Sequence, residues 1–379
     1  IYGTDITVLV PNGTDVTTLV PTISHTGASV SPASGVAQDF TNPVIYTVTA
    51  EDATTQVYTV TVTVGTWRHK PTANGLGSNY VFEAFASGST VYAGTSGGLS
   101  ISTDSGETFT NKTTANGLGH NSVGSIYVSA STVYAATNGG LSTSTDSGAT
   151  FTNKTTADGL GSNAVYGVYA SGSTVYAGTT GGLSISTNGG STFTNKTTTD
   201  GLGHNLITDV YASGSTVYAA TLGGLSISTD GGSTFTNRTT ANGLGSNNVT
   251  DIFISGSKVY AATDGGLSIS TDEGATFTNK TTANGLGSNY VGGVYASGST
   301  VYAGTMSGLS VSTDGGATFI NKTGDGMGSS TINEVYASGS IVYAASIGGL
   351  SFATLPSSGT IVDGGSQTFG PAGITITDA

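Results

Sequence analysis

The sequence contains no cysteine, and only 8% of its 379 residues are charged. Without thiol groups, the chain can form no disulfide bond and perform no thiolate chemistry. The 9 basic residues stand against 22 acidic ones, and the net charge of −13 argues against nucleic acid and against an anionic membrane surface as partners. No apolar run approaches the roughly 18 residues of a membrane-spanning helix, so no insertion into a membrane is predicted.

What the sequence does contain is a repeat. The motif S-T-D/N-x-G-x-T-F occurs six times at a constant spacing of 42 residues, first as STDSGETF at 102–109. A period of about 40–45 residues with several short strands per unit is typical of a β-propeller blade. The third residues of the six copies are Asp104, Asp146, Asn188, Asp230, Asp272 and Asp314.

The number of blades follows from a second repeated element. The unit at 116–157 predicts four strands, at Val123–Val128, Thr132–Ala136, Leu141–Thr145 and Thr150–Thr155. A Gly-Leu-Gly or Gly-Met-Gly element occurs seven times, against six copies of the acidic motif. Residues 66–72 align with the start of a fourth strand, with Trp67 at the position of Phe109. We therefore predict seven blades, in a ring closed when 66–72 supply the outer strand of the last blade.

The motif resembles the Asp box, or BNR repeat, of sialidases and their relatives, with Phe in place of the commoner Trp. Turn chemistry explains it: Asp104 can accept hydrogen bonds from backbone N–H groups in its own turn, and Gly106 supplies a backbone angle that other residues resist. Because the boxes lie on separate blades, we expect a structural role and no metal site. The resemblance to sialidases would imply three clustered arginines, whereas the chain has only Arg68 and Arg238.

Asp-box glycanases, which the motif also resembles, use two carboxylates across a cleft lined by aromatic residues. The single tryptophan, Trp67, is assigned to the closing strand. We therefore expect no catalytic residue, no cofactor and no metal, and we keep glycan hydrolysis as an alternative. His120 and His204 share one repeat position, where other units carry serine, and are expected to be loop residues.

Residues 1–65 form a different module, with strand-like alternation at 5–10 and a predicted hairpin at 45–64. The phrase VSPASGVAQDFTNPVIYTVTAED, at 30–52, resembles the Ig-like or cadherin-like sandwiches of bacterial surface proteins, which implies an extracellular location. Residues 355–379 predict two or three further strands. These strands could cover the propeller, dock on the first module, begin another domain or pair with a neighbouring chain.

Three positions vary among units that are otherwise nearly identical. The first position lies directly before the Gly-Gly turn, the second lies at the entry to the first strand of the unit, and the third lies three residues after the second. In a propeller they would gather on one face and in the central funnel, and either drift or tuning of a binding face explains them. The candidate apolar contacts are Tyr80, Leu222, Tyr290, Met306 and Ile347, and the candidate acidic funnel is Glu83, Asp209, Asp251 and Glu334.

The sequence thus predicts an all-β protein, with an Ig-like sandwich at 1–65, a seven-bladed Asp-box propeller at 66–354 and a short β tail at 355–379. The predicted function is non-catalytic, as a display or binding head for adhesion or assembly at a bacterial surface, with a surface glycan or a protein as ligand. The alternative is a subunit of an extracellular filament or layer, self-associating through terminal strands at 1–10 or 359–377.

Overall fold

Short β-strands make up most of the structure, a computed structural model that describes residues 5–10, 15–324, 326–354, 360–362, 367–368 and 375–377. The helices in these ranges are single 3₁₀ turns, at Thr72–Asn74, Thr114–Asn116, Thr156–Asp158, Thr198–Asp200, Thr240–Asn242 and Thr282–Asn284. None of these described helices has the length and hydropathy needed to cross a membrane. Two compact units are present, one containing the N-terminal module and the other most of the repeat array.

The N-terminal module begins with five strands: β1 Asp5–Val10, β2 Thr22–Ser24, β3 Ser29–Ser31, β4 Val44–Thr49 and β5 Thr55–Val64. Strands β4 and β5 form the predicted hairpin, and β1 pairs in parallel with β5. Alternate residues of these strands, including Val8, Tyr46 and Val60, are buried in one apolar cluster. The alternating pattern of the sequence therefore corresponds to one buried and one exposed face of the sheet.

The repeat array forms seven four-stranded sheets, the blades of a β-propeller. From the first strand of each blade to the fourth, they are β7–β10 (Val81–Ser87, Thr90–Thr95, Gly98–Ser102, Thr110–Lys112), β11–β14 (Val123–Ser129, Thr132–Thr137, Gly140–Ser144, Thr152–Lys154), β15–β18 (Val165–Ser171, Thr174–Thr179, Gly182–Ser186, Thr194–Lys196), β19–β22 (Ile207–Ser213, Thr216–Thr221, Gly224–Ser228, Thr236–Arg238), β23–β26 (Val249–Ser255, Lys258–Thr263, Gly266–Ser270, Thr278–Lys280), β27–β30 (Val291–Ser297, Thr300–Thr305, Gly308–Ser312, Ile320–Lys322), and β31–β33 with β6 (Ile332–Ser338, Ile341–Ser346, Gly349–Thr354, Arg68–Lys70). The predicted seven-bladed fold is confirmed.

Neighbouring blades share their apolar cores. Tyr134 and Leu141 of the second blade pack with Val165 and Phe193 of the third blade in a single buried cluster. The second strand of the second blade, Thr132–Thr137, is buried at five of its six residues. A strand is buried on both faces only when another layer covers each face, so each blade depends on both of its neighbours.

The ring closes as the sequence predicted. Strand β6 lies beside β33 and completes the seventh blade, although it covers only Arg68–Lys70 within the predicted 66–72. Trp67 is 9% exposed, as Phe109 and its equivalents are buried in the other blades. The first and last segments of the array therefore pair, which leaves no open edge between the first and seventh blades.

The fourth strands are shorter than predicted. In the second blade the strand covers Thr152–Lys154, and a 3₁₀ turn at Thr156–Asp158 takes up residues that follow it. The Thr155 side chain accepts a hydrogen bond from the turn, and Gly159 ends the turn at a φ of 98°. Thr at the start and Gly at the end cap a helical turn, which stops the strand early.

A buried serine ties each blade together. In the second blade Ser142 donates to the Asn153 side chain (3.0 Å) and accepts from the Gly119 N–H (2.9 Å). Asn153 donates in turn to the Gly139 carbonyl (2.8 Å). The fourth strand, the loop before the blade and the turn between its second and third strands are thus joined. Position 119 requires glycine in this arrangement, because a Cβ there would lie 2.4 Å from the Asn153 amide oxygen.

The same contact explains His69 in the closing strand. His69 takes the repeat position of Asn153, and its Nδ1 lies 3.2 Å from the Ser351 hydroxyl, which also accepts from Gly328. The closing strand therefore preserves the serine contact with a different side chain.

The tail strands belong to the unit of the N-terminal module. They are β34 Thr360–Val362, β35 Gln367–Thr368 and β36 Thr375–Thr377. Strand β35 pairs in parallel with β1, and β36 pairs in parallel with both β2 and β34. Four arrangements were predicted for the tail, and in the structure its described strands dock on the first module.

Replacing residues 66–72 with a Gly/Ser segment of equal length should lower the melting temperature sharply. The change removes the closing strand and the buried Trp67, and loss of a buried tryptophan side chain alone costs about 3–5 kcal/mol. Thermal unfolding followed by circular dichroism measures the effect. A Gly/Ser replacement of the exposed residues 33–37 serves as the control, and equal melting of both variants would contradict closure by this strand.

Candidate functional site

One face of the propeller carries the loops that enter each blade and the turns between second and third strands. The Ser96 N–H donates to the Tyr80 carbonyl (3.1 Å), and the Thr180 hydroxyl donates to that of Ser162 (2.7 Å). The loops and turns are therefore adjacent, as the repeat comparison predicted. We call this surface the variable face.

The two loop histidines lie in the loops of the variable face, in a structural role. His120 Nδ1 accepts from the Ser122 N–H at 2.9 Å, and His204 Nδ1 accepts from the Leu206 N–H at 2.9 Å. Ser78 makes the equivalent contact with Tyr80 in the first blade. Histidine thus replaces serine as a turn acceptor, in agreement with the expected loop position.

Large apolar side chains are exposed on the variable face. Tyr80 is 43% exposed and Met306 is 51% exposed, and Leu222 and Ile347 are exposed as well. Tyr290 is half-buried, and its pKa is raised by burial and by the nearby Asp264 and Tyr80. The structure therefore leaves four of the five candidate apolar residues accessible, and places Tyr290 within electrostatic range of Tyr80.

Two further aromatic residues on this face were missed by the sequence analysis. Phe82 packs against Tyr80 with ring centroids 4.8 Å apart, and Tyr166, at the same repeat position as Phe82, is exposed. Other units carry Gly, Thr or Asn at this position; in them Thr208 donates to the Val249 carbonyl (2.7 Å). Because aromatic residues replace small or polar ones in only two units, these two positions could have been identified from the sequence.

The four candidate acidic residues line the axis of the propeller, where they satisfy backbone groups. Glu83 accepts from the Ile126 N–H of the next blade (3.3 Å), and Asp251 accepts from the Val294 N–H (2.7 Å). The first strand of each blade has a partner on one side only, so half of its N–H groups point away from the sheet. A side chain from the preceding blade provides the acceptor that these groups need.

Burial at the axis makes the four carboxyl groups hard to ionise. They keep partial exposure to solvent, yet desolvation raises the pKa of Glu83 to about 8 and that of Asp251 to about 6. The pKa values of Asp209 and Glu334 are also raised, by burial first and then by neighbouring carboxylates. The neighbouring Asp251 contributes to the raised pKa of Asp209.

The expected acidic funnel is therefore less negative than its composition suggests. Burial and mutual repulsion oppose ionisation, so Glu83, with a pKa of about 8, holds a proton at neutral pH, whereas Asp251, with a pKa of about 6, is mostly ionised there. Within the described residues, no set of three His, Cys, Asp or Glu side chains is arranged to hold a metal ion. The four acids act mainly as acceptors within the fold.

Seven aromatic side chains form a closed belt around the axis, a feature that the sequence analysis missed. Its members are Phe85, Tyr127, Tyr169, Tyr211, Phe253, Tyr295 and Tyr336. Adjacent ring centroids lie 4.6–6.5 Å apart, all the way round. Burial, with a further contribution from the neighbouring Tyr127 and Tyr211, raises the pKa of Tyr169. Every unit carries an aromatic residue at this position, so the belt could have been predicted from the sequence.

The six repeated motifs around Asp104, Asp146, Asn188, Asp230, Asp272 and Asp314 form turns. Asp146 accepts from the Ser144 hydroxyl (2.6 Å) and the Thr150 N–H (2.9 Å), and these bonds lower its pKa. Asn188 makes the equivalent bonds without a charge. The Ser147 N–H donates to the Ser131 carbonyl, which joins the box to the turn between the first two strands of the blade. These motifs therefore lie away from the variable face.

Comparison with known proteins gives one family match, to a model described as SGBP, N-terminal, over residues 2–62. A comparison with curated proteins finds no match.

Solved structures share the fold at low sequence identity. The extracellular domain of a hybrid two-component system from B. thetaiotaomicron aligns with a TM-score of 0.65 and 15% identity, over 77% of this chain and 40% of that domain. YCF48 from Cyanidioschyzon merolae aligns with a TM-score of 0.57 and 15% identity, over 76% and 98%. The GH74 enzyme of Niastella koreensis aligns with a TM-score of 0.52 and 21% identity, over 81% and 47%. This chain thus spans about two fifths of the two-component domain.

The stability of the protein should fall as the pH rises from about 4.5 to about 8. A carboxyl group whose pKa is higher in the folded state binds more protons there, so raising the pH through this window favours unfolding. For Glu83 the window extends from its ordinary 4.5 to about 8. Replacing Glu83→Gln should flatten the pH dependence of the melting temperature.

The matched control for this prediction is Glu51→Gln, an exposed glutamate outside the propeller. Burial lowers the pKa of His69, an effect of opposite sign that is common to both variants and cancels in the comparison. If Glu83→Gln and the parent lose stability in parallel between pH 5 and 8, the raised pKa of Glu83 is wrong.

Proposed function

We propose that this chain is a non-catalytic glycan-binding protein of the bacterial cell surface, with the variable face as its binding surface. The observation that carries the proposal is the group of aromatic and aliphatic side chains exposed on that face, above all Tyr80, which packs against the half-buried Phe82, and Tyr166. Exposed apolar groups rimmed by polar residues mark interaction sites. Aromatic rings offer a flat apolar surface that fits the C–H face of a sugar ring, and their hydroxyl groups can hydrogen-bond to it.

The N-terminal match supports the same reading. SGBP denotes glycan-binding surface proteins, and residues 2–62 match the N-terminal part of that family. The two-component neighbour is an extracellular domain, which agrees with a surface location. We propose that the N-terminal module is an Ig-like or cadherin-like sandwich and that the propeller is the head used in adhesion.

The geometry of the acidic residues supports binding without hydrolysis. The two carboxyl groups of a glycosidase stand about 5–9.5 Å apart, with room for the substrate bond or a water. Asp209, Asp251 and Glu83 instead accept from the backbone N–H groups of Ile252, Val294 and Ile126. Arg68 and Arg238 lie on the outer strands β6 and β22, where they cannot form a sialidase clamp.

Replacing Tyr80→Ala or Tyr166→Ala should weaken binding to polysaccharide by roughly tenfold each, the usual effect of removing an aromatic contact at the centre of an interface. Binding is measured on an array of immobilised plant and bacterial polysaccharides and then by calorimetry with those retained. The control is Ile320→Ala, because Ile320 is 67% exposed but lies on an outer strand. Equal binding by all three variants would exclude the variable face.

The same polysaccharides should remain intact when incubated with the protein. Reducing-end release is the measurement, and the Niastella koreensis GH74 enzyme is a suitable positive control for the assay. Release of sugar by this protein above the level of a heat-denatured sample would favour the hydrolase alternative, and loss of that release in an Asp251→Asn variant would place the activity at the axis.

A further inference from the structure

The N-terminal module is completed by strands from the other end of the chain. Strand β2 lies at the edge of a three-stranded sheet in the order β2-β36-β34, so its one neighbour in that sheet, β36, comes from the tail. Strand β1 lies between β5 and β35. The register is specific: Thr22 pairs with Thr375 and Ile23 with Ile376, while Val8 pairs with Gln367.

The tail strands are short. Strand β35 is the edge strand of its sheet and has two residues, and β34 and β36 have three each. A short edge strand is held by few main-chain hydrogen bonds, so its release opens an edge but leaves the hairpin of β4 and β5 paired.

The bonds that hold the tail do not distinguish one copy of the chain from another. Strand addition works through main-chain N–H and C=O groups, and the register is set by whichever tail sequence arrives. The family match ends at residue 62, so the matched module does not itself contain the strands that occupy its edges. An acceptor edge and the strand that fits it are therefore separate parts of one chain.

We propose that β1 and β2 form an acceptor site for the tail of a second copy of this chain, so that copies join head to tail by exchange of β34, β35 and β36. The contacts would be those seen within one chain, transferred between two. Because donor and acceptor are different surfaces, the contact is heterologous, and repetition gives an open filament or a ring. This assembly does not depend on the glycan binding proposed above.

Concentration decides between the two pairings. A tail attached to its own module has an effective concentration of the order of millimolar, so pairing within the chain dominates in dilute solution. The fraction of tails paired between chains rises when the protein concentration is high and when the tails have first been detached from their own modules. Exchange is therefore expected after brief opening in mild urea at high protein concentration, and little of it without opening.

Cysteine pairs test this directly, because the native chain contains no cysteine. Thr22 is exposed and is the register partner of Thr375 in β36. Full-length chains carrying Thr22→Cys and Thr375→Cys are mixed, opened in mild urea, returned to buffer and oxidised. We expect a mixed disulfide dimer, well above the level of dimers formed by either variant alone. Unchanged melting curves show that each variant folds.

The register supplies the control. Ser24 pairs with Thr377, two residues from Thr375, or about 6.6 Å along a strand. A mixture of Ser24→Cys and Thr375→Cys chains should therefore cross-link several-fold less. A single chain carrying Thr22→Cys and Thr375→Cys should give a ladder of disulfide-linked multimers of 37.3 kDa after opening, and a closed monomer without it.

Several results would overturn the proposal. Mixed dimers no more abundant than those of the single variants would show that the tail does not exchange. Equal cross-linking by the Ser24→Cys mixture would show random collision in place of strand pairing. A doubly substituted chain that forms no disulfide at all would show that β36 does not pair with β2, within the chain or between chains.

Discussion

Burial between blades is the constraint on which the propeller depends. A single unit has apolar residues on both faces of its sheet. In the second blade, Tyr134 is buried in a cluster with the third blade and Val133 in a cluster with the first blade. Every blade is therefore necessary to the next, and the ring must close. The residues that form these shared faces are nearly identical in all units, which leaves differences between units to the loops and the axis.

The axis imposes a second constraint. Each inner strand presents N–H groups to the centre, and an acidic residue or serine at the position of Glu83 accepts from an N–H of the next blade in four units. The sixth unit has glycine, Gly293, at this position. In the blade that follows, the Glu334 side chain accepts instead from the N–H of Val335 in its own strand, at 2.8 Å. A Cβ on Gly293 would lie within 2.3 Å of that carboxylate. Variation at the axis is therefore coupled between blades, and this argues for structure more than for a ligand.

The sequence predicted what was copied with the repeat: seven blades, closure through Trp67, and the turns around Asp146 and its equivalents. It did not predict properties that arise only when the blades converge. The aromatic belt through Tyr169 and the raised pKa of Glu83 both depend on residues about 42 positions apart meeting at one axis. Pairing of β1 with β35 was equally hidden, because short parallel strands so distant in sequence leave no local pattern.

The two faces of the propeller differ in what their variable positions contain. In the six repeated turn motifs, the residue after Asp104 and its equivalents is Ser, Gly or Glu, and Asp104 accepts hydrogen bonds from within its own turn. On the variable face, the positions that differ between units include Tyr80, Leu222 and Met306, which are exposed to water. Drift on a solvated surface explains small and polar residues readily. Repeated exposure of large apolar side chains on one face is better explained by a ligand that covers them.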